Sequence, residues 1–165
     1  MAALKEEGMI SKNTHKLYKR PFRNDRIHVA RGEGVPPSLA EVSHAVAVGP
    51  LCHTGGQLAI DAEGRLLDGP VSEQADLAFR NLLSVLAAAG FSKNDIVFVD
   101  ITLSDIGELP DVNAAFRRVF VHPPRPARAV MEASALPLGA KVRLHALAVR
   151  SDMQSAAEKP GQRRA

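Results

Sequence analysis

The run Ile96–Leu103, IVFVDITL, restricts this chain more than any other feature. It is β-branched and apolar, and Asp100 is its only charge, which suits an interior strand of a sheet. A helical period precedes it. Val71, Ala75, Ala78, Leu82, Val85, Leu86 and Ala89 recur at helical spacing, and Gly90 is a natural C-terminal stop. A second helix follows, opened by Pro110 and carrying Val112, Phe116, Val119 and Phe120 on its apolar side.

Strand signals flank this helix–strand–helix centre. Residues 43–48 alternate polar and small residues with valines, Gly49-Pro50 turns the chain, and residues 51–58 contain Gly55-Gly56-Gln57. That reads as a hairpin whose second strand makes a close backbone approach at its glycines. After the proline-rich loop 122–126, residues 127–134 read as a strand, and Leu136-Pro137-Leu138-Gly139 as a turn. The last strand, 141–149, puts Val142, Leu144, Ala146 and Ala148 on one face and Arg143, His145, Leu147 and Val149 on the other. The order β-β-α-β-α-β-β implies an α+β sandwich, a single-domain sheet with two helices packed on one face.

A chain of 165 residues holds one such domain. We place it at 35–150, after a mixed, basic extension (1–34) that ends in the loop-like 31–37, and before a polar C-terminal tail (151–165). The pI of about 9.3 belongs to the ends: 1–34 carries +4 and 150–165 carries +2 of a total of +3, leaving −3 on the centre. That balance, with only seven aromatic residues to stack bases, argues against a nucleic-acid partner. No apolar run approaches a membrane span, and Glu6 and Glu7 interrupt any secretory pattern. One cysteine, Cys52, excludes an internal disulfide and is expected to be a small packed hydrophobe. The expected location is the cytoplasm. Six histidines without ligand spacing imply no metal site.

Gly56-Gln57, the helix segment Glu73-Gln74…Asn81-Leu82-Leu83…Leu86…Ala89-Gly90, Asn113, and Pro126-Ala127-Arg128 followed by Leu136-Pro137 resemble the Rid (YjgF-like) family of enamine/imine deaminases. The closing Ala146-Leu147-Ala148-Val149-Arg150 fits the same pattern, and the likeness runs from about Pro36 to Arg150. The resemblance implies a chorismate-mutase-like (YjgF-like) subunit in a homotrimer with ligand clefts between subunits. It further implies hydrolysis of reactive enamines or imines to a 2-oxo acid and ammonia, with no metal and no organic cofactor.

Arg128 opens a strand, and its planar guanidinium matches a carboxylate in two parallel hydrogen bonds. The resemblance makes it the anchor for the substrate carboxylate of a small metabolite. It also puts Gly56, Asn113, Val130 and Arg143 against the ligand. The chemistry departs from the family at the last strand, where Arg143-Leu144-His145 stands in place of a Glu-hydrophobic-Glu pattern. Arg143 has no neutral form near pH 7 and cannot serve as a base. Three arrangements are open to it: pairing with Glu132, joining Arg128 in a doubly cationic pocket for a dianionic ligand, or facing solvent or the trimer channel. His145 titrates near neutrality and is a weak substitute for the missing acid/base. Val42 stands where the family carries a tyrosine over the ligand. The expected function is therefore a divergent imine deaminase. The alternatives are a non-catalytic oxo-acid or dicarboxylate-binding trimer and, third, an RNA-directed or translation-inhibitor activity.

Overall fold

The computed structural model describes residues 26–150. The chain forms β1 (Arg26–Val29), β2 (Ala45–Val48), β3 (Leu51–Thr54), α1 (Val71–Ala88), β4 (Ile96–Leu103), α2 (Leu109–Val119), β5 (Ala127–Glu132) and β6 (Val142–Val149). All six strands join one sheet in the order β1-β2-β3-β6-β4-β5. Every ladder is antiparallel except β4–β5, whose parallel pairing requires the crossover that α2 supplies.

The last strand sits at the middle of the sheet, between β3 and β4. This follows from its alternation. Val142, Leu144, Ala146 and Ala148 are buried in the core formed with α1 and α2, while Arg143, His145, Leu147 and Val149 are half-buried on the other side. Val99, Ile101 and Leu103 of β4 face the same core, so Asp100 and Thr102 point to the opposite side. The interior-strand reading of 96–103 therefore holds with one amendment: one face of the strand meets the helices and the other carries polar side chains.

Phe79 of α1 is at the centre of the core, with the Phe116 and Phe120 rings edge-on at 6.2 and 6.4 Å. Gly90 ends α1 at φ 79°, and the Phe91 amide donates to the Leu86 carbonyl across it. Buried polar side chains tie loops to the helices. Asn81 donates to the carbonyls of Leu58 and Ile60, both at 2.9 Å, and Gln74 bridges the Leu67 carbonyl and the Lys141 amide.

The structure adds β1 to the expected strand order. This strand lies within the segment read as an extension, pairs with β2 and buries only Val29. Four residues with three exposed show no period for a sequence pattern to catch. Neither helix among the described residues is long and apolar enough to cross a membrane. The expectations for 1–25 and for the tail 151–165 lie outside the described residues.

Asn81 gives the direct test of this frame. Asn81→Ala removes both hydrogen bonds; the Leu58 carbonyl keeps the Ile60 amide as donor at 2.9 Å but the Ile60 carbonyl loses its donor, so urea unfolding should show a loss of about 1–3 kcal/mol. An unchanged midpoint would mean that the 58–60 loop is held by something else.

Candidate functional site

After Thr54 the chain leaves the β3 ladder, and the Gln57 and Leu144 backbones exchange two hydrogen bonds, at 2.8 and 2.9 Å. This bridge presses Gly56 onto β6. A Cβ on Gly56 would lie 2.8 Å from Arg143 Cδ and 3.2 Å from His145 Nε2, so the absent side chain is what admits both groups. The Gln57 side chain locks the loop by donating to the Gly55 and His44 carbonyls at 3.2 and 3.4 Å. A pocket of about 200 Å3 opens here, lined among others by Leu39, Val42, His44, Gly55, Gly56 and Pro137. Val42 is well exposed at its rim.

Arg143 and His145 lie on the helix-free face of the sheet. Arg143 Nη2 donates to Thr102 Oγ1 at 3.3 Å, and its Nε is buried without a partner among the described residues. Asp100 faces His145 across the β4–β6 ladder, and Asp100 Oδ1 is also buried and unpartnered. His53 approaches from β3, with 6.3 Å between its ring centroid and that of His145. Burial holds the His145 pKa below the ordinary imidazole value, and the Arg143 charge pushes it the same way. Asp100 opposes both by favouring the imidazolium.

Arg128 belongs to the other face. It opens the edge strand β5 in register with Val99, whose side chain points to the core. It is exposed, its Cζ lies 5.0 Å above the Phe116 ring of α2, and it makes no ion pair among the described residues. Asn113 lies on the same helix one turn before Phe116, half-buried, with an unpartnered Oδ1. Val130, two residues on from Arg128, packs against the core.

Two of the arrangements open to Arg143 fail within one chain. β4 intervenes between β5 and β6, and Glu132 is in register with Leu103 on the core-facing side, opposite to Arg143. The Glu132 carboxylate instead accepts the Ile106 amide at 2.9 Å. For the same reason Arg128 and Arg143 of one chain cannot share a pocket. The expected set divides into Gly56, Arg143 and His145 on one face and Arg128, Asn113 and Val130 towards the other. Asp100 is the addition that sequence reasoning missed. Its signal was there, as the one charge in an apolar strand.

A larger cavity, of about 510 Å3, lies between Lys93, Asn94 and the 120–126 loop. It contains none of the expected site residues, its polar side chains being Lys93, Asn94 and His122 among prolines and apolar groups, so size does not decide the site. Among the described residues no cluster of three or more His, Cys, Asp or Glu could hold a metal. Cys52 is buried, and burial pushes its thiol up, with Arg150 pulling it partly back. It remains a neutral packed thiol at pH 7.

Residues 33–150 match the family model described as Endoribonuclease L-PSP. The chain is 34% identical over 122 residues to the 2-iminobutanoate/2-iminopropanoate deaminase of Bos taurus, covering 73% of this chain and 88% of that protein. It is 38% identical over 117 residues to protein DfrA of Myxococcus xanthus, covering 69% and 88%. Among solved structures it resembles RidA from the Antarctic bacterium Psychrobacter sp. PAMC 21119, with a TM-score of 0.70 and 30% identity over 75% of this chain and all (100%) of that one.

The electrostatics of the Arg143–His145 cluster beside Gly56 can be tested by substitution. Arg143→Gln removes a positive charge that disfavours the His145 imidazolium, so the His145 pKa should rise towards the ordinary imidazole value. Titration of the ring protons by NMR reads this directly. An unmoved resonance would mean that Arg143 and His145 do not sense one another.

Proposed function

Since the chain belongs to the endoribonuclease L-PSP family, the YjgF/Rid family, we propose that it hydrolyses reactive imines or enamines of small amino acids to a 2-oxo acid and ammonia. Arg128 holds the substrate carboxylate. The observation that carries this reading is the state of Arg128: a guanidinium exposed at the start of an edge strand, stacked on Phe116 and free of any acid among the described residues. Its fork is available for an anionic ligand.

The reading requires more than one copy. Arg128, Asn113 and Val130 lie on one side of the sheet, and Gly56, Arg143 and His145 on the other. One small molecule touches both groups only if each comes from a different chain. A homotrimer with clefts between subunits meets this condition, because a head-to-tail interface that closes into a ring brings different faces of neighbouring chains together. Leu51 and Met131, both close to half-exposed on the helix-free face, support burial of that face against other copies. In such a cleft Arg143 of one subunit approaches Arg128 of the next, which favours a ligand with two negative groups. The smaller Val42 at the rim leaves room for a larger ligand than an aromatic lid would.

A second reading, a trimer that binds an oxo acid or dicarboxylate without turning it over, draws on Arg143 itself: a cation that cannot accept a proton from water stands against Gly56. Among the described residues no phenylalanine is exposed, so an RNA-directed reading has little support for base stacking there.

Both readings meet in one experiment. 2-Iminobutanoate and 2-aminoacrylate are generated freshly and their hydrolysis is followed as ammonia release. The protein should accelerate it over buffer, and Arg128→Ala should raise KM about tenfold or more, the loss of a charge-assisted pair of about 1.5–3 kcal/mol. Binding of 2-oxo acids without acceleration selects the non-catalytic reading. Equal KM in the variant removes Arg128 as the anchor.

A further inference from the structure

Hydrolysis of an imine needs a group that takes a proton from water and returns it to the departing nitrogen. Arg143 cannot do this, so the work falls to another side chain at Gly56. Beside Arg143, the helix-free face carries His145 on β6, His53 on β3, Asp100 on β4 and, farther off on β1, Arg26 and His28, in register with Val48 and Val46. His145 Nε2 lies 3.2 Å from where a Gly56 Cβ would stand, beside the glycine that lines the pocket, whereas His44 lines the pocket itself with a buried, unpartnered Nε2 and is not among the atoms nearest that point. His53 is exposed and stands behind His145.

A base that takes a proton here becomes an imidazolium beside a guanidinium, two like charges in a half-buried site. The geometry supplies the counter-charge. Asp100 is the sole charged residue of β4, sits directly opposite His145, and keeps a buried oxygen without a hydrogen-bond partner. A buried, unpaired carboxylate oxygen is costly and calls for a reason. We propose that Asp100 and His145 form the proton-transfer pair of this site, with His145 the catalytic base and then acid, and Asp100 the positioning residue that stabilises its imidazolium against Arg143. This rests on the imine-hydrolysis reading above and names the groups that would perform it.

The step balances within the substrate, water and His145. As the water oxygen bonds to the carbon of the protonated imine, the C=N electron pair moves to nitrogen and His145 takes the water proton. The imidazolium then returns that proton to the amino nitrogen. The C–N bond breaks with its electrons on nitrogen, the hydroxyl oxygen forms the C=O bond, and its proton leaves with ammonia as ammonium. The direction of the His145 shift agrees with a base kept neutral at pH 7, because burial and Arg143 both disfavour the charged form while Asp100 moderates them.

The test compares pH profiles of imine hydrolysis with NMR titration of the His145 ring, in the intact protein and in Asp100→Asn. Loss of the Asp100 charge should lower kcat about tenfold or more at neutral pH with KM within about twofold, since a group acting on the imidazolium helps the transition state and not the ground state. The His145 pKa should fall, and the acid limb of the profile should move to lower pH with it. A purely structural role would not move that limb. His145→Gln is the second variant, with an expected loss on the order of a hundredfold in kcat. An unmoved limb and unmoved His145 resonance in Asp100→Asn, or full kcat in His145→Gln, would overturn this assignment alone. No hydrolysis by the intact protein would overturn the functional reading, and this one with it.

Discussion

The reciprocal backbone hydrogen bonds between Gln57 and Leu144 hold the site together. They turn the chain out of the β3 ladder and lay a bare glycine against β6, where any Cβ would collide with the Arg143 stem. Everything on that side follows from the contact. The pocket has a floor because the loop is pinned. Gly56 lines that pocket and makes room beside it for Arg143 and His145, and the buried Gln57 side chain pins the loop through the Gly55 and His44 carbonyls. The φ of Gly56 is not in the left-handed region, so close approach, not backbone freedom, accounts for glycine here.

The second organising fact is the position of β6. A strand inserted between β3 and β4 is covered by helices on one face only, and its alternation separates two tasks along one run of eight residues. Leu144 and Ala146 complete the core that holds α1, while Arg143 and His145 stand one residue away on the helix-free face. The same alternation in β4 brings Asp100 to His145 and Thr102 to Arg143. β5 lies beyond β4 at the sheet edge, where Arg128 is exposed and packs on Phe116. The fold thus presents an exposed cation and a titratable polar cluster on opposite sides of one sheet, and the proposed function joins them through a ligand held between copies.

Elements set by local periodicity were readable in the sequence. The helices at Val71–Ala88 and Leu109–Val119, the interior strand and the alternation of the last strand all follow from spacing, with Gly90 and Pro110 as punctuation. The hairpin was readable too, although its second strand ends at Thr54, four residues short of the expected end, because the glycines release it to reach Leu144. What spacing does not carry is which strand lies beside which. Pairing Glu132 with Arg143 assumed that β5 and β6, consecutive in sequence, were neighbours. The inserted β4 and the opposite facing of the two side chains exclude it. β1, with one buried residue in four, lacked any pattern. Asp100 was visible as a lone charge, but only the register with His145 gives that charge a partner.

The claim that a working cleft combines Arg128 of one subunit with the Gly56 pocket of the next is tested most directly by complementation. Arg128→Ala and Gly56→Leu each damage every cleft of their own trimer, the first by removing the anchor and the second by filling the pocket. Unfolded together, mixed in equal amounts and refolded, the two inactive proteins should recover roughly a quarter of the intact imine-hydrolysing activity, the share of clefts in a randomly assembled ring that draw both intact halves. Recovery near zero, with mixed trimers present, would contradict the account and place anchor and pocket in the same chain or in no common site.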